Sequence, residues 1–233
     1  MRTVVLHYHL FKNAGTSLDA ILKRNFDDAW VTQEFPAMSG NNSALVADWI
    51  AGSPKGAAYS SHTMTGPLPE IEGVRVIPVI LLRDPLTRIR SAYQFERRQV
   101  ANTLGTQLAR AHDFEGYVRA RLEVAGDRQC RNFHTTILAR MIPGAGDELT
   151  RAKASVSRLR DAGVVGLVAR FDETMERLTK RLRPVWPSFD WQQTRANTSE
   201  KADPVEMNPA LEALLREANA QDIALLDWVK ATF

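Results

Sequence analysis

The chain has a single cysteine, Cys130, in 233 residues, so it forms no disulfide within itself and a bridge-stapled fold is excluded. A lone thiol suits a reducing compartment. Also missing is any unbroken apolar run of the roughly eighteen residues that a membrane-spanning helix needs, and the first residues contain no basic, apolar, small-residue leader. The expectation is a cytoplasmic protein with no membrane span. Charge of one sign is scarce too: 30 Lys and Arg against 27 Asp and Glu leave +3, which admits an anionic small ligand or acidic polymer and requires no nucleic acid. The five histidines and one cysteine follow no zinc-ligand spacing, and no metal is expected. There is no repeat, low-complexity tract or linker, and 44% apolar residues suffice for a sizeable core. A single domain over residues 1–233 is expected, with the oligomeric state left open.

What the chain does have is a dense N-terminal stretch at residues 4–22, VVLHYHLFKNAGTSLDAIL. It reads as a largely apolar parallel strand, then a loop carrying Lys12, Asn13, Ala14, Gly15, Thr16 and Ser17, then an amphipathic helix whose Leu18, Ile21, Leu22 and Phe26 face a sheet. Small residues between a strand and a helix N-terminus direct backbone N–H groups and the positive helix end at one volume, which suits an anion. His7 and His9 lie in the strand and read as packed or hydrogen-bonded residues, His9 having the better claim to chemistry because it is nearer the loop.

Further along, Ser43 reads as the N-cap of a helix reaching about Ile50, and residues 57–61 as a second strand that runs out at His62. In open α/β sheets the ligand crevice lies outside the carboxyl ends of the strands, where His62 falls if this strand is parallel to the first. VRVIPVILLRDP is the longest apolar run, with Pro78 its one discordant residue. Asp84 and Pro85 then make an N-cap and first helical residue. Arg83 sits at that strand's end, and Ser91, almost two turns after Asp84, shares a helix face with it. The arginines from Arg88 to Arg98 read as a solvated face that could also attract an acidic acceptor. Helices over residues 114–162, a strand at 164–172, a helix at 173–183 and a final helix opened by Pro209 complete an α/β plan with helical insertions.

The loop is not GxxxxGK[ST], because Lys12 precedes Gly15. Nor does a spare carboxylate stand at a strand end, which weakens magnesium-dependent ATP chemistry. Lys12 to Ser17 after one strand, together with Arg83-Asp84-Pro85 and Ser91-Ala92-Tyr93 after another, resembles the paired signature of sulfotransferases that use 3′-phosphoadenosine 5′-phosphosulfate (PAPS). The nearest branch is that of the heparan and uronyl 2-O-sulfotransferases, with weaker similarity through Gln129 to Asn132, GLVARFDE and the last helix. The resemblance implies a three-layer P-loop kinase-like fold with a mainly parallel sheet. It also implies that the first loop binds the 5′-phosphosulfate, that Arg83 and Ser91 bind the 3′-phosphate, and that His62 is the base. The acceptor would be a hydroxyl, on a saccharide, and the product 3′-phosphoadenosine 5′-phosphate (PAP). The chemistry agrees: charge developing on the leaving phosphate can be met by Lys12 and backbone amides, and a histidine suits proton removal near neutral pH. Glu70 and Glu96 stay open as alternative bases. A nucleotide-dependent phosphotransferase and a non-catalytic nucleotide-binding module stay open as other functions. The polar loop with Asn197, Thr198, Ser199 and Lys201 is a candidate to close over the nucleotide.

Overall fold

The computed structural model describes residues 1–36, 40–192 and 205–232, so the loop at Asn197 to Lys201 lies outside the described residues. Its strands are β1 (Arg2–Tyr8), β2 (Trp30–Thr32), β3 (Ala58–Ser61), β4 (Val74–Leu82) and β5 (Val164–Leu167). The helices are α1 (Gly15–Phe26), α2 (Ser43–Gly52), α3 (Pro85–Arg98), α4 (Leu104–Ala111), α5 (Phe114–Glu123), α6 (Phe133–Ala139), α7 (Glu148–Ala162), α8 (Phe171–Leu182), α9 (Pro209–Ala218) and α10 (Ala220–Thr232). By its contacts the chain divides into two compact units, residues 1–82 with 137–197 and residues 83–136 with 198–233.

The first unit holds a five-stranded sheet, ordered β2-β3-β1-β4-β5, in which every pairing is parallel. Alternation along β1 puts Val5 on the face that α1 and α8 cover. There Leu18, Ile21, Leu22 and Phe26 of α1 meet Ile77, Val79 and Leu81 of β4, with Met175, Leu178 and Leu182 of α8. The same alternation carries His7 and His9 toward α1. Pro78 is tolerated inside β4 because pairing with β5 begins one residue later, at Val79 and Val164. Gly163 lies against the Pro78 backbone there, where any Cβ would come within 2.0 Å of the Pro78 carbonyl oxygen.

Three local expectations need correction. The strand β2 is absent from the sequence reading, and the late strand stops at Leu167 before a short 3₁₀ turn, so α8 starts at Phe171. The α2 helix starts at Ser43 with Asn42 as its N-cap residue. Asp27, which ends α1, is exposed and held at φ 45°, ψ −120°, a region natural only to glycine. Asp27→Gly is expected to stabilise the fold by about 1 kcal/mol and raise the melting temperature by roughly 2–4 °C, which a denaturation scan checks.

The second unit is helical. Leu86, Ile89 and Tyr93 of α3 pack with Ala109 of α4, Phe114, Tyr117 and Val118 of α5, Cys130, and Leu211 and Leu215 of α9. The expected single final helix is two: Asn219 breaks it, its side chain bonding the Leu215 and Cys130 carbonyls. Asp84 caps α3 as expected, accepting from the Thr87 N–H at 2.9 Å, and Pro85 opens the helix.

Candidate functional site

The β1 strand delivers the chain into a tight loop. Lys12 and Ala14 both adopt the left-handed conformation, at φ 62° and 59°, which costs a non-glycine residue about 1–2 kcal/mol each. Two such residues in so short a loop persist only because the surrounding structure holds them there. Asn13 is buried and pins the turn, its amide bonding the Leu10 carbonyl and its side chain the Phe11 carbonyl at 2.9 Å. Of the five backbone amides from Asn13 to Ser17, two are thus spent within the chain: Asn13 on Leu10, and Ser17 on the Ala14 carbonyl at 3.1 Å. The other three are those of Ala14, Gly15 and Thr16. Lys12 is half-buried and Thr16 exposed.

Gly15 has a steric reason to be glycine. A Cβ there would fall 2.1 Å from His9 Cδ2 and 2.3 Å from its Nε2. His9 is therefore pressed onto the first residue of α1. Its other nitrogen, Nδ1, bonds Asp19 Oδ2 at 2.7 Å, and His7 Nδ1 bonds Asp19 Oδ1 at the same distance. Burial alone would raise the Asp19 carboxyl, but the hydrogen bonds from the two imidazoles hold it well below the usual carboxylate range. Burial pushes the His7 imidazole down despite its Asp19 partner, so His7 is neutral at physiological pH.

His62 stands just past β3, exposed, as expected. Its partner was not: parallel pairing of Thr32 with Ser60 carries the chain beyond β2 to put Glu34 beside His62. Glu34 Oε1 accepts from His62 Nδ1 at 2.6 Å, Oε2 accepts from the Thr63 hydroxyl at 2.8 Å, and the carboxylate also takes the His62 N–H. Burial opposes ionisation of Glu34, and these hydrogen bonds overcome it to lower its pKa. A half-exposed ion pair of this kind adds little to stability. Its effect is orientation: with the Nδ1 proton on Glu34, His62 Nε2 carries a lone pair. The His62 ring also lies on the His9 ring, centroids 3.8 Å apart. Gly15, His9 and His62 thus form a continuous line of contacts from the start of α1 to the end of β3.

Arg83 and Ser91 belong to the second unit. Arg83 is half-buried, and its Nε donates to the Thr87 hydroxyl at 3.3 Å. Burial lowers its pKa, with Asp84 pulling the other way. Ser91 is half-buried on α3. Arg88 is not on a solvated face: it is wholly buried, bonds the Gln129 carbonyl and lies 4.1 Å from the Phe133 ring centroid. Glu96 is occupied as well, bound to Arg121 at 2.7 Å and accepting from Tyr117 at 2.6 Å. That leaves it no freedom to act as a base. Glu70 is exposed. His112 is exposed, and His134 is buried against Asp222.

No family model matches the chain. It is 36% identical, over 208 residues, to an uncharacterized protein of Archaeoglobus fulgidus, an alignment covering 87% of this chain and 82% of the relative. The two belong to one family. None of the described helices is long and apolar enough to cross a membrane.

Proposed function

We propose that the chain is a PAPS-dependent O-sulfotransferase whose acceptor is a saccharide hydroxyl. The observation that carries this reading is the Glu34–His62 pair at the end of β3, joined through His9 to Gly15 of the loop. A carboxylate-oriented imidazole with a lone pair on Nε2 is a general base. A loop of strained backbone at a helix N-terminus, carrying a lysine, holds an anion. In the transfer, the acceptor hydroxyl gives its proton to His62 Nε2, its oxygen bonds to sulfur, and the sulfur–oxygen bond to the 5′-phosphate breaks. Lys12 and the loop amides meet the charge that arrives on the phosphate. The strand order β2-β3-β1-β4-β5, with the loop leaving central β1, supports a P-loop kinase-like arrangement. Asp84 is used as a helix cap, which leaves the strand-end carboxylate of a magnesium-dependent phosphotransferase without a counterpart there.

The direct test is transfer of labelled sulfate from PAPS to a panel of saccharides. Labelling of an acceptor supports the reading. Stabilisation by ATP with magnesium exceeding that by metal-free PAP favours a phosphotransferase, and donor binding without any labelled acceptor favours a binding module. For the donor, Arg83→Ala is expected to weaken PAP by tenfold or more, a charged hydrogen bond being worth about 1.5–3 kcal/mol, while the analogue lacking the 3′-phosphate changes little. Calorimetric titration of both nucleotides measures this, and equal losses would remove Arg83 from 3′-phosphate recognition.

A further inference from the structure

His9 is 7% exposed, with Nδ1 committed to Asp19. Nε2 has no hydrogen-bond partner among the described residues. That atom lies against Gly15, 2.3 Å from where a Cβ would stand, at the end of α1 where first-turn amides and the positive helix end converge. A polar atom on an otherwise buried ring, unpartnered and aimed at a helix N-terminus, calls for a ligand atom of complementary charge.

We infer that His9 is an anion-binding residue of this loop, donating Nε2–H to an oxygen of a phosphate or sulfate-ester group and taking up one proton as the anion binds. With the Nδ1 proton on Asp19, a neutral ring presents a lone pair at Nε2, which repels an oxyanion. One proton from solvent turns it into a donor, and the Asp19 carboxylate balances the new charge from the opposite side of the ring. The groups facing His9 are Asp19 from α1, His7 two residues earlier in β1 with centroids 5.1 Å apart, and His62 beyond β3 with Glu34 behind it. Lys12 lies three residues on in the loop. Asp19 and Glu34 favour the added charge, Lys12 and a protonated His62 oppose it, and neutral His7 is indifferent. The uptake therefore belongs to the anion-bound state, where the ligand supplies the missing negative charge. This deepens the sulfotransferase reading by naming a further residue on the donor, and rests on it only for the donor's identity.

The experiment is calorimetric titration of the full chain near neutral pH, in two buffers of different ionisation enthalpy, with PAP, inorganic pyrophosphate and sulfate as separate probes. The wild type should take up between half a proton and about one proton per anion bound. His9→Gln should lose that uptake and bind the anion about tenfold more weakly. Asp19→Asn, which removes the balancing charge with little change of shape, should lower the uptake too and serves if His9→Gln does not fold. His62→Ala should keep it. Uptake lost in His62→Ala but retained in His9→Gln would assign the proton to the wrong ring and overturn the inference, as would failure of all three probes to bind the wild type. PAP binding without uptake leaves the donor reading standing and the inference refuted. Pyrophosphate binding with His9-dependent uptake, but PAP binding no better than ADP, does the reverse.

Discussion

His62→Ala is expected to lower sulfate transfer from PAPS by about a hundredfold to ten-thousandfold while leaving PAP affinity within a few-fold of wild type. The asymmetry follows from where the ring stands. It is exposed past β3 and contributes no anion ligand of its own. Its Nδ1 is spent on Glu34 at 2.6 Å, so only Nε2 meets an acceptor. Glu34→Gln should give a smaller loss, because an amide still accepts the Nδ1 hydrogen but no longer stabilises the imidazolium formed when the proton arrives. Steady-state transfer to an acceptor that the wild type labels, with calorimetry for PAP, separates the two effects. Unchanged turnover in His62→Ala would take this residue out of the chemistry and return exposed Glu70 to consideration.

Gly15→Ala is expected to damage fold and ligand binding together. The added methyl would sit 2.1 Å from His9 Cδ2, far inside the roughly 3.5–4.0 Å of an ordinary carbon contact. His9 cannot yield cheaply, since moving it breaks the bond to Asp19 and lifts it off the His62 ring. Overpacking of this kind costs about 1–3 kcal/mol, and each kcal/mol lowers the melting temperature of a domain this size by roughly 2–4 °C. PAP affinity should fall at the same time, because the loop that gives way is the one proposed to hold the anion. Thr16→Ala, whose side chain is exposed, is the control for melting. A Gly15→Ala protein that melts and binds PAP like wild type would show that His9 is not wedged against the helix.

The legible parts of the chain were those whose signal is local. Apolar runs located β1 and β4, and Asp84 with Pro85 located the start of α3, because a cap and its helix are sequence neighbours. A mainly parallel sheet was expected from the resemblance, and every pairing in the structure is parallel. The β2 strand was not legible: with three residues it has no periodicity to read, and without it nothing connected Glu34 to His62, which are 28 residues apart. Arg88 misled for the opposite reason, since a charge on a helix is ordinarily solvated, and the Gln129 carbonyl and Phe133 ring that accommodate it lie about forty positions on. For Asp19 a signal did exist. It falls on the line of Gly15, Leu22 and Phe26, at spacings of three and four along the apolar side of α1, where an acid has no business unless something in the sheet receives it. His7 in β1 and His9 just past its end, both on the α1 side, were that something.

Glu34, the carboxylate that orients His62, hangs from the shortest strand of the sheet. β2 lies at the sheet edge and pairs with one neighbour only, over Trp30 to Thr32. Fraying of an edge this short takes far less free energy than opening the sheet, and when it frays Glu34 leaves with it. His62 would then remain in place but unaimed. On the proposed reading, catalytic competence follows the local stability of this edge rather than the global stability of the first unit, and warming should silence the proposed base while the rest of the sheet stays intact.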